Sequence, residues 1–456
     1  MQGFCEPFKN KKITLLGLGL LGRGVGDAEF LAKCGAEIVA VDRKSESELA
    51  ASVAKLKHYP NIIFHLGKSE PEDFSARGGS ASGGTDMVIK AAGVPLHSPE
   101  IAAARAAGVP VYMSTALFAK YAREAGAKIV GITGTRGKST VTQMIHHSLI
   151  SAFAKASADR RAHLGGNVRG KSTLAMLPEI KAGDICVLEL DSWQLQGFGD
   201  LNISPHIAVF TNLMPDHQNY YPSMEAYFAD KANIFRFQKE GDSVFVGKSL
   251  LPKIQSGLVP PPIPSDWKLH VIGEHNRENA SFAAAALKSL GLSEAEIRSG
   301  LESFEAVEGR LQFVRESRGV KIYNDNNATT PEATIAALKA LSPSLEPRAS
   351  NLTLITGGSE KGLALGELVS EIKKTVSHLL VLTHPHYKGS ERLMGELESA
   401  GIAFETAERL SEAVQKGMNG RNGDVLLFSP AFASFGMFKN EYERNDEFLA
   451  AIKTIQ

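Results

Sequence analysis

The stretch Lys128-Ile-Val-Gly131-Ile132-Thr133, continued by Gly134-Thr135-Arg136-Gly137-Lys138-Ser139-Thr140 and then by Val141–Ile150, decides the fold of this chain. An apolar run of strand length leads into a glycine-rich turn, and the turn leads into a segment of helical pattern. A phosphate-holding loop needs that order. Glycines let backbone N–H groups approach phosphate oxygens, and the helix N-terminus points further unpaired N–H groups at them. Lys138 supplies a positive charge for β- and γ-phosphates, and the Ser139 hydroxyl can ligate Mg²⁺. The usual spacing rule puts a glycine where Ile132 stands, so the match is to a shorter Gly-Thr-x-Gly-Lys-Ser-Thr form. A glycine-rich turn with an incidental lysine is the plain alternative. The coincidence of strand, glycines, Lys138, Ser139 and helix speaks against it.

Outward from this loop, short apolar runs alternate with helix-like segments along the whole chain, the signature of parallel α/β domains. At 456 residues the chain is long enough for several domains. We read three, all α/β: a Rossmann-like domain over 1–110, a central P-loop ATPase-like parallel sheet over 111–308, and a second Rossmann-like domain over 309–456. The first opens with a strand at Ile13–Leu16 that runs into Gly17, Gly19 and Gly22, and continues with strands at Glu37–Val41 and Met87–Ile89. Further strands are expected at Ile185–Leu190, Ile207–Asn212, Ser243–Val246, Leu352–Thr356, Leu379–Thr383 and Val425–Phe428, with helices at Ser223–Phe237 and Ser411–Met418. The low-complexity segment Ser75–Gly84 and the stretch Phe153–Arg161 read as surface insertions.

Three downstream polar residues attract attention. Glu189 ends an apolar run, so a carboxylate sits at the carboxyl end of a buried strand, where ligands gather in open sheets and where a charge is costly without a cation. Asp191 is the competing acid, and a surface carboxylate is the bland reading of either. His217 lies in a polar loop beyond the next strand. A lone histidine is more often structural, yet its position allows a ligand or substrate role. Lys231 falls in a helical stretch and by itself reads as a solvated lysine.

Composition narrows the function. Lys+Arg and Asp+Glu both number 50, so no basic excess suggests a nucleic-acid partner. No run approaches the length of a membrane span. The residues before the first strand lack an apolar stretch of signal-peptide type. The cysteines, Cys5, Cys34 and Cys186, are odd in number and without metal-ligand spacing. Cys34 and Cys186 read as buried thiols, which fits a reducing, cytoplasmic compartment.

Taken together, GITGTRGKST, ELDSWQL at 189–195, TNLMPDHQNYYP at 211–222, ADKANIF at 229–235, GEHNRENA at 273–280, NDNNATTPEAT and SPAFASFGMFKNEYER resemble the Mur ligases. These are the ATP-dependent amino-acid ligases of peptidoglycan synthesis, and the resemblance is closest to their D-glutamate-adding branch. It runs from Ile13 to Phe448. It implies a substrate domain for UDP-N-acetylmuramoyl-L-alanine, a central ATP domain, and a third domain that shares ATP and holds D-glutamate. It also implies that ATP phosphorylates the substrate carboxylate and that the amine of D-glutamate then displaces phosphate. A monomer without membrane insertion is expected.

The resemblance also assigns residues. Lys138, Glu189, His217 and Lys231 would be catalytic. Two Mg²⁺ ions would be held by Ser139, Glu189 and His217, with Lys231 carbamylated to an anion that joins them. ATP would meet Gly134 to Thr140, Asn276 (assisted by Asn279), Arg310 and Asp325. Leu20, Leu21, Asp42, Arg43 and Asn167 would take the UDP substrate, and Thr329, Lys361, Ser434 and Phe435 the D-glutamate. The sequence departs from the family pattern at Asp191, where serine is common, at Asn327, often lysine, at Ala91-Ala92-Gly93 in place of Ser-Pro-Gly, and at Glu441 in place of an aromatic.

Other readings differ in what they require. Gly17, Gly19 and Gly22 with Asp42 further on suggest a nicotinamide dehydrogenase, but hydride transfer has no need of the Lys138 loop. A Mur-type ligase for another amino acid, or a folylpolyglutamate-type ligase, is the nearer alternative. A nucleotide-dependent switch without ligase activity is the third. Phosphate release that depends on both acceptor substrates would exclude it.

Overall fold

The computed structural model describes residues 2–20, 22–77, 84–156, 160–216, 220–342, 351–419 and 425–455. The described residues form three sheets. The first contains β1 (Lys12–Leu16), β2 (Glu37–Asp42), β3 (Ile62–Leu66), β4 (Met87–Lys90) and β5 (Val111–Met113) in the order β3-β2-β1-β4-β5. All its pairings are parallel. The order reverses between β1 and β4, which opens a crevice at their carboxyl ends. Gly17 turns the chain there with φ +97°, and a Cβ on it would lie 2.8 Å from the Cβ of Ala91. The loop after β1 and the turn after β4 therefore form one wall.

The second sheet contains β6 (Lys128–Thr133), β7 (Ala162–Gly166), β8 (Ile185–Glu189), β9 (Ile207–Phe210) and β10 (Ser243–Val246), ordered β10-β9-β6-β8-β7 and again all parallel. Helix Lys138–Ala156 follows β6. The first two sheets share one apolar core, which runs from Ile13, Leu15 and Ile38 through Leu117 and Phe118 to Ile129, Leu188 and Phe210. They lie in one compact unit, Met1–Pro261 with Ser281–Gly300.

The third sheet lies in the other unit, Pro262–Ala280 with Leu301–Gln456. It contains β11 (Gln312–Ser317), β12 (Val320–Asn324), β13 (Leu352–Thr356), β14 (His378–Leu382), β15 (Glu405–Ala407) and β16 (Val425–Phe428), ordered β11-β12-β16-β13-β14-β15. Only the β11–β12 hairpin is antiparallel. Its central strands read as unbroken apolar runs because both faces are covered. Leu379, Val381, Val425 and Leu427 enter one core, and Leu380, Leu382, Leu426 and Phe428 enter the other. This is the period-two alternation of strand side chains.

Strands expected at Lys128–Thr133, Ser243–Val246, Leu352–Thr356 and Val425–Phe428 form with those bounds. Two expectations are corrected. Cys34 is buried but is no free thiol: it bonds Cys5 of the short helix Gln2–Cys5, and the Cα atoms lie 4.8 Å apart. That helix carries no strong sequence signal, so the pairing was not legible. Cys186 is the buried free cysteine, and burial pushes its thiol up to about 12. Phe153–Ala156, read as part of a loop insertion, instead completes helix Lys138–Ala156. The helix-favouring Ala-Lys-Ala run extends it. Residues 78–83 and 157–159 of the two insertions lie outside the described residues. Among the described residues no helix is long and apolar enough to cross a membrane.

Candidate active site

The loop Gly134–Gly137 is held in shape by the segment that follows β9. The Thr211 hydroxyl donates to Arg136 O at 2.6 Å, and Asn212 Oδ1 accepts the Arg136 N–H at 2.9 Å. Thr135 N–H donates to Asn212 O at 3.0 Å, and Thr135 Oγ1 accepts from Met214 N at 2.9 Å. Gly134 has φ +146°, and a Cβ there would lie 1.9 Å from Thr211 Oγ1. Glycine is therefore required at this point of the loop, both for its φ and for the close approach. Thr211 and Asn212 thus shape the phosphate loop, although the sequence marked their segment only as part of a motif.

Two ammonium groups converge on the Gly134 carbonyl. Lys138 Nζ donates to Gly134 O and Thr135 O, both at 3.1 Å. Lys231 Nζ donates to the same Gly134 O at 2.9 Å and to Thr133 Oγ1 at 3.3 Å. Lys231 is not the solvated helix lysine that its local sequence suggests. It is 1% exposed and lies over the ring of Tyr227, 4.8 Å from its centroid. Burial, reinforced by the charge of Lys138, holds its pKa well below the ordinary lysine range. A neutral amine results more readily there, and a neutral amine is a nucleophile. Tyr227, buried beneath it, was not singled out from sequence. Its place four residues before Lys231 on helix Met224–Ala232 is the signal that was available.

Sheet register brings further residues to this rim. Ile132 pairs with Glu189, and Gly166 pairs with Glu189 from the other side. Glu189 and the residues after Thr133 and Gly166 therefore lie at the same carboxyl edge. Asn167 N–H donates to Glu189 O at 2.8 Å. The Glu189 side chain is buried, and among the described residues nothing donates a hydrogen bond to its carboxylate. A buried carboxylate in that state requires a cation. With the Ser139 hydroxyl at the start of the adjoining helix, the donor set is oxygen, which suits Mg²⁺. Asp191, the competing acid, is occupied otherwise: it caps helix Ser192–Asp200 and accepts from Gln194 N at 2.7 Å. Among the described residues no group of three or more His, Cys, Asp or Glu could hold a metal. His217 and Leu21 lie outside the described residues.

In the first sheet, Asp42 sits at the end of β2 and accepts from Gly19 N at 2.9 Å and Lys44 N at 3.0 Å. Arg43 pairs with Glu100 at 3.2 Å. Leu20 is exposed. Leu20 and Asn167 line one cavity of about 330 Å³ at the β1/β4 crevice. Neither Asp42 nor Arg43 lines it.

The second compact unit gathers the remaining predicted residues into local groups. Lys361 Nζ donates to Thr329 Oγ1 at 3.1 Å. The Ser359 hydroxyl donates to Phe435 O, and the Tyr387 hydroxyl donates to Ser434 O at 3.3 Å. Asn276 donates to Ile272 O at 2.8 Å and accepts from Asn279 at 3.1 Å. Arg310 N–H donates to Val307 O. Arg444, 0% exposed, fastens the Asn326 loop through Asn326 Oδ1 and Asn326 O, both at 2.8 Å. Asn327 donates to Glu308 O at 3.3 Å. The Glu441 carbonyl accepts from Asn326 at 2.9 Å. Leu311 and Ala431 take positive φ values of 47° and 61° beside these groups, a local strain of the kind that collects at functional loops.

Asp325 is buried, and its two oxygens accept from Leu311 N at 2.9 Å and Ser429 Oγ at 2.8 Å. Burial raises its pKa from 3.8 to about 7. The folded pKa therefore lies above the unfolded one. The stability penalty is absent below about pH 4, grows as pH rises, and is complete above about pH 7. Asp325→Asn keeps an acceptor for Leu311 and removes the charge. It is expected to exceed the wild type in stability by on the order of 2 kcal/mol at pH 8, a gap that closes toward pH 4. Denaturant unfolding at both pH values measures it, and an equal gap at the two would contradict the account.

Comparison with known proteins adds the following. Residues 132–249 match the Mur ligase middle domain, and residues 309–432 match the Mur ligase glutamate ligase domain. The chain is 32% identical to the UDP-N-acetylmuramoylalanine–D-glutamate ligase of Roseiflexus sp. (strain RS-1), covering 97% of this chain and 98% of the relative. It is 30% identical to the enzyme of the same name from Acetivibrio thermocellus, covering 100% and 99%. Among solved structures, the UDP-N-acetylmuramate–alanine ligase of Thermotoga maritima superposes with a TM-score of 0.63 at 19% identity, covering 98% of this chain and 100% of that one. The MurF ligase of the same organism in complex with ADP gives 0.59 at 16%, covering 99% and 98%.

Proposed function

The chain belongs to the Mur ligase family, and from that membership we propose that it joins D-glutamate to UDP-N-acetylmuramoyl-L-alanine with ATP as co-substrate. The observation that carries this reading is the convergence of Lys138 and Lys231 on the Gly134 carbonyl inside a phosphate loop, with Glu189 at the same sheet edge. The substrate carboxylate attacks the γ-phosphorus, the bond to ADP breaks, and an acyl-phosphate forms. The amine of D-glutamate then attacks the acyl carbon, phosphate leaves, and an amide remains.

The chemistry sets the need for cations. A carboxylate and a triphosphate repel each other, and charge builds on the transferring phosphoryl group. The loop N–H groups and Lys138 meet that charge. Ser139, Glu189 and His217 would hold Mg²⁺, which when bound neutralises phosphate charge and orients it. Lys231 would add its neutral amine to the carbon of CO₂ and lose a proton, becoming a carbamate on the same side. In the second unit Asn276, Arg310 and Asp325 are assigned to ATP, and Thr329, Lys361, Ser434 and Phe435 to D-glutamate. Leu20, Leu21, Asp42, Arg43 and Asn167 are assigned to the UDP substrate.

We retain the division into three domains with borders near 110 and 308, but β5 (Val111–Met113) pairs with β4 and belongs to the first sheet, so a border at 110 falls too early. The assigned residues lie on both compact units. A monomer acting in the cytoplasm, where ATP and nucleotide sugars are used, completes the proposal. The redox state of Cys5 and Cys34 is then set by that compartment.

The test is phosphate release with ATP, UDP-N-acetylmuramoyl-L-alanine and a panel of amino acids. Release with D-glutamate, and with no other amino acid, is expected. Release with an L-amino acid instead would transfer the chain to another branch of the family. No release with any would sink the ligase reading.

A further inference from the structure

The Gln196 side chain joins segments that no step above connects. It stands on helix Ser192–Asp200, which follows β8, and is 5% exposed. Its Nε2 donates to Asp230 Oδ2 at 2.7 Å and to Tyr220 Oη at 3.2 Å. An ionised carboxylate only accepts, so the NH₂ end of the amide must face Asp230. That contact is short and charge-assisted. The Oε1 end is left buried without a hydrogen-bond partner among the described residues. The amide is thus held in place by its two donors, at the cost of its acceptor.

Asp230 is the residue before Lys231 on helix Met224–Ala232. Just beyond Lys231, Asn233 Nδ2 donates to Leu195 O, beside Gln196, at 3.0 Å. The helices approach closely there: a Cβ on Gly199 would lie 2.5 Å from Asn233 Nδ2. The chain around Lys231 is therefore tied to helix Ser192–Asp200 on both sides, at Asp230 and at Asn233. The lysine needs such a hold. Its stem is long and flexible, yet its amine has to stand over one point of the phosphate loop, the Gly134 carbonyl at 2.9 Å. A helix that rolled on its neighbour would carry the amine away. Tyr220 brings in a further segment. Its hydroxyl also accepts a long hydrogen bond, 3.5 Å, from Leu96 N in the chain after β4. Its ring stands edge-on to Trp193 and Tyr221, with centroids 5.6 Å and 4.8 Å away, and lies 5.8 Å from His97. Tyr221 lies 5.0 Å from Tyr227, the ring beneath Lys231. Rings thus follow one another from His97 to the lysine.

We propose that Gln196 and Tyr220 are positioning residues for Lys231, holding helix Met224–Ala232 so that its amine stands over the phosphate loop. This rests on the reading of Lys231 as a group that acts in the reaction. Neither residue is assigned to a substrate, and both act through the lysine.

Gln196→Met keeps the length of the side chain and removes both donors. In the full chain it is expected to lower kcat about tenfold, the cost of a charge-assisted hydrogen bond, with KM for ATP and for D-glutamate near wild type. Tyr220→Phe keeps the ring and should cost about threefold, because the Gln196–Asp230 contact survives. It supplies the same comparison if Gln196→Met does not fold, which thermal midpoints show. The deciding measurement repeats each substitution on the Lys231→Ala background, whose residual phosphate release is followed with and without acetate. A side chain that aims Lys231 has nothing to aim there, so the second substitution should cost no more than about twofold. An equal loss on both backgrounds would overturn the proposal and show a general structural role. Wild-type kcat in both Gln196→Met and Tyr220→Phe would overturn it as well. A Lys231→Ala variant that acetate does not raise would count against the carbamate, while the comparison of backgrounds still decides the positioning. Wild-type turnover in Lys231→Ala would overturn the role of Lys231 and this proposal with it.

Discussion

Lys138→Met is expected to reduce ATP-dependent phosphate release by a factor of a thousand or more, roughly 4 kcal/mol of transition-state stabilisation. The side chain leaves the first residue of helix Lys138–Ala156 and folds back over its own loop, onto Gly134 O and Thr135 O. That posture puts a permanent charge where the helix N-terminus already favours an anion. Removing it leaves the loop N–H groups to meet the developing phosphate charge alone. A further effect follows from geometry. Lys138 is also a cause of the lowered pKa of Lys231, so its loss lets Lys231 hold its proton more firmly and makes carbamylation harder. Both effects act in the same direction. Phosphate release at saturating ATP measures the loss, and an unchanged thermal midpoint shows that the fold survived. Retention of more than a tenth of wild-type turnover would remove Lys138 from the mechanism.

Lys231→Ala is expected to lose activity by about two to four orders of magnitude and to regain part of it with added short carboxylic acids such as formate or acetate. The rescue follows from the chemical identity of the missing group. A carbamate presents two oxygens on an anionic carbon, and a small carboxylate presents the same in a hole of the right size. Lys231→Arg, which keeps a cation and cannot be carbamylated, should be inactive and should not respond to acids. The opposing account holds that Lys231 serves as an ammonium, donating to Gly134 O and Thr133 Oγ1. That account predicts rescue by small amines and none by acids. An alanine variant with wild-type turnover would dismiss both.

The phosphate loop was readable because its requirements are local. A strand, glycines, Lys138 and a helix start follow one another within a few residues, and each is demanded by backbone geometry. The third sheet was readable for a similar reason. Runs such as Leu352–Thr356 and Val425–Phe428 are apolar on both faces, which happens only in a covered parallel strand. Short or edge strands gave weaker signals. Val111–Met113 and Glu405–Ala407 have three residues each, too few for a period to show. The exposure of β11 blurs its alternation in the same way.

Local pattern misjudged the residues whose meaning depends on partners distant in the chain. Lys231 read as an ordinary solvated lysine, and Cys34 as a free thiol. Each was reassigned by a contact spanning 29 to 98 positions or by burial among other elements. By itself, then, the sequence determined the parallel α/β architecture, the phosphate loop and the family, since these rest on periodicity, turn chemistry and the order of short motifs. Tertiary structure alone decided which cations share the Gly134 carbonyl and which carboxylate is left without a donor among the described residues. Those are matters of distance and desolvation, and neither is a property of adjacent residues.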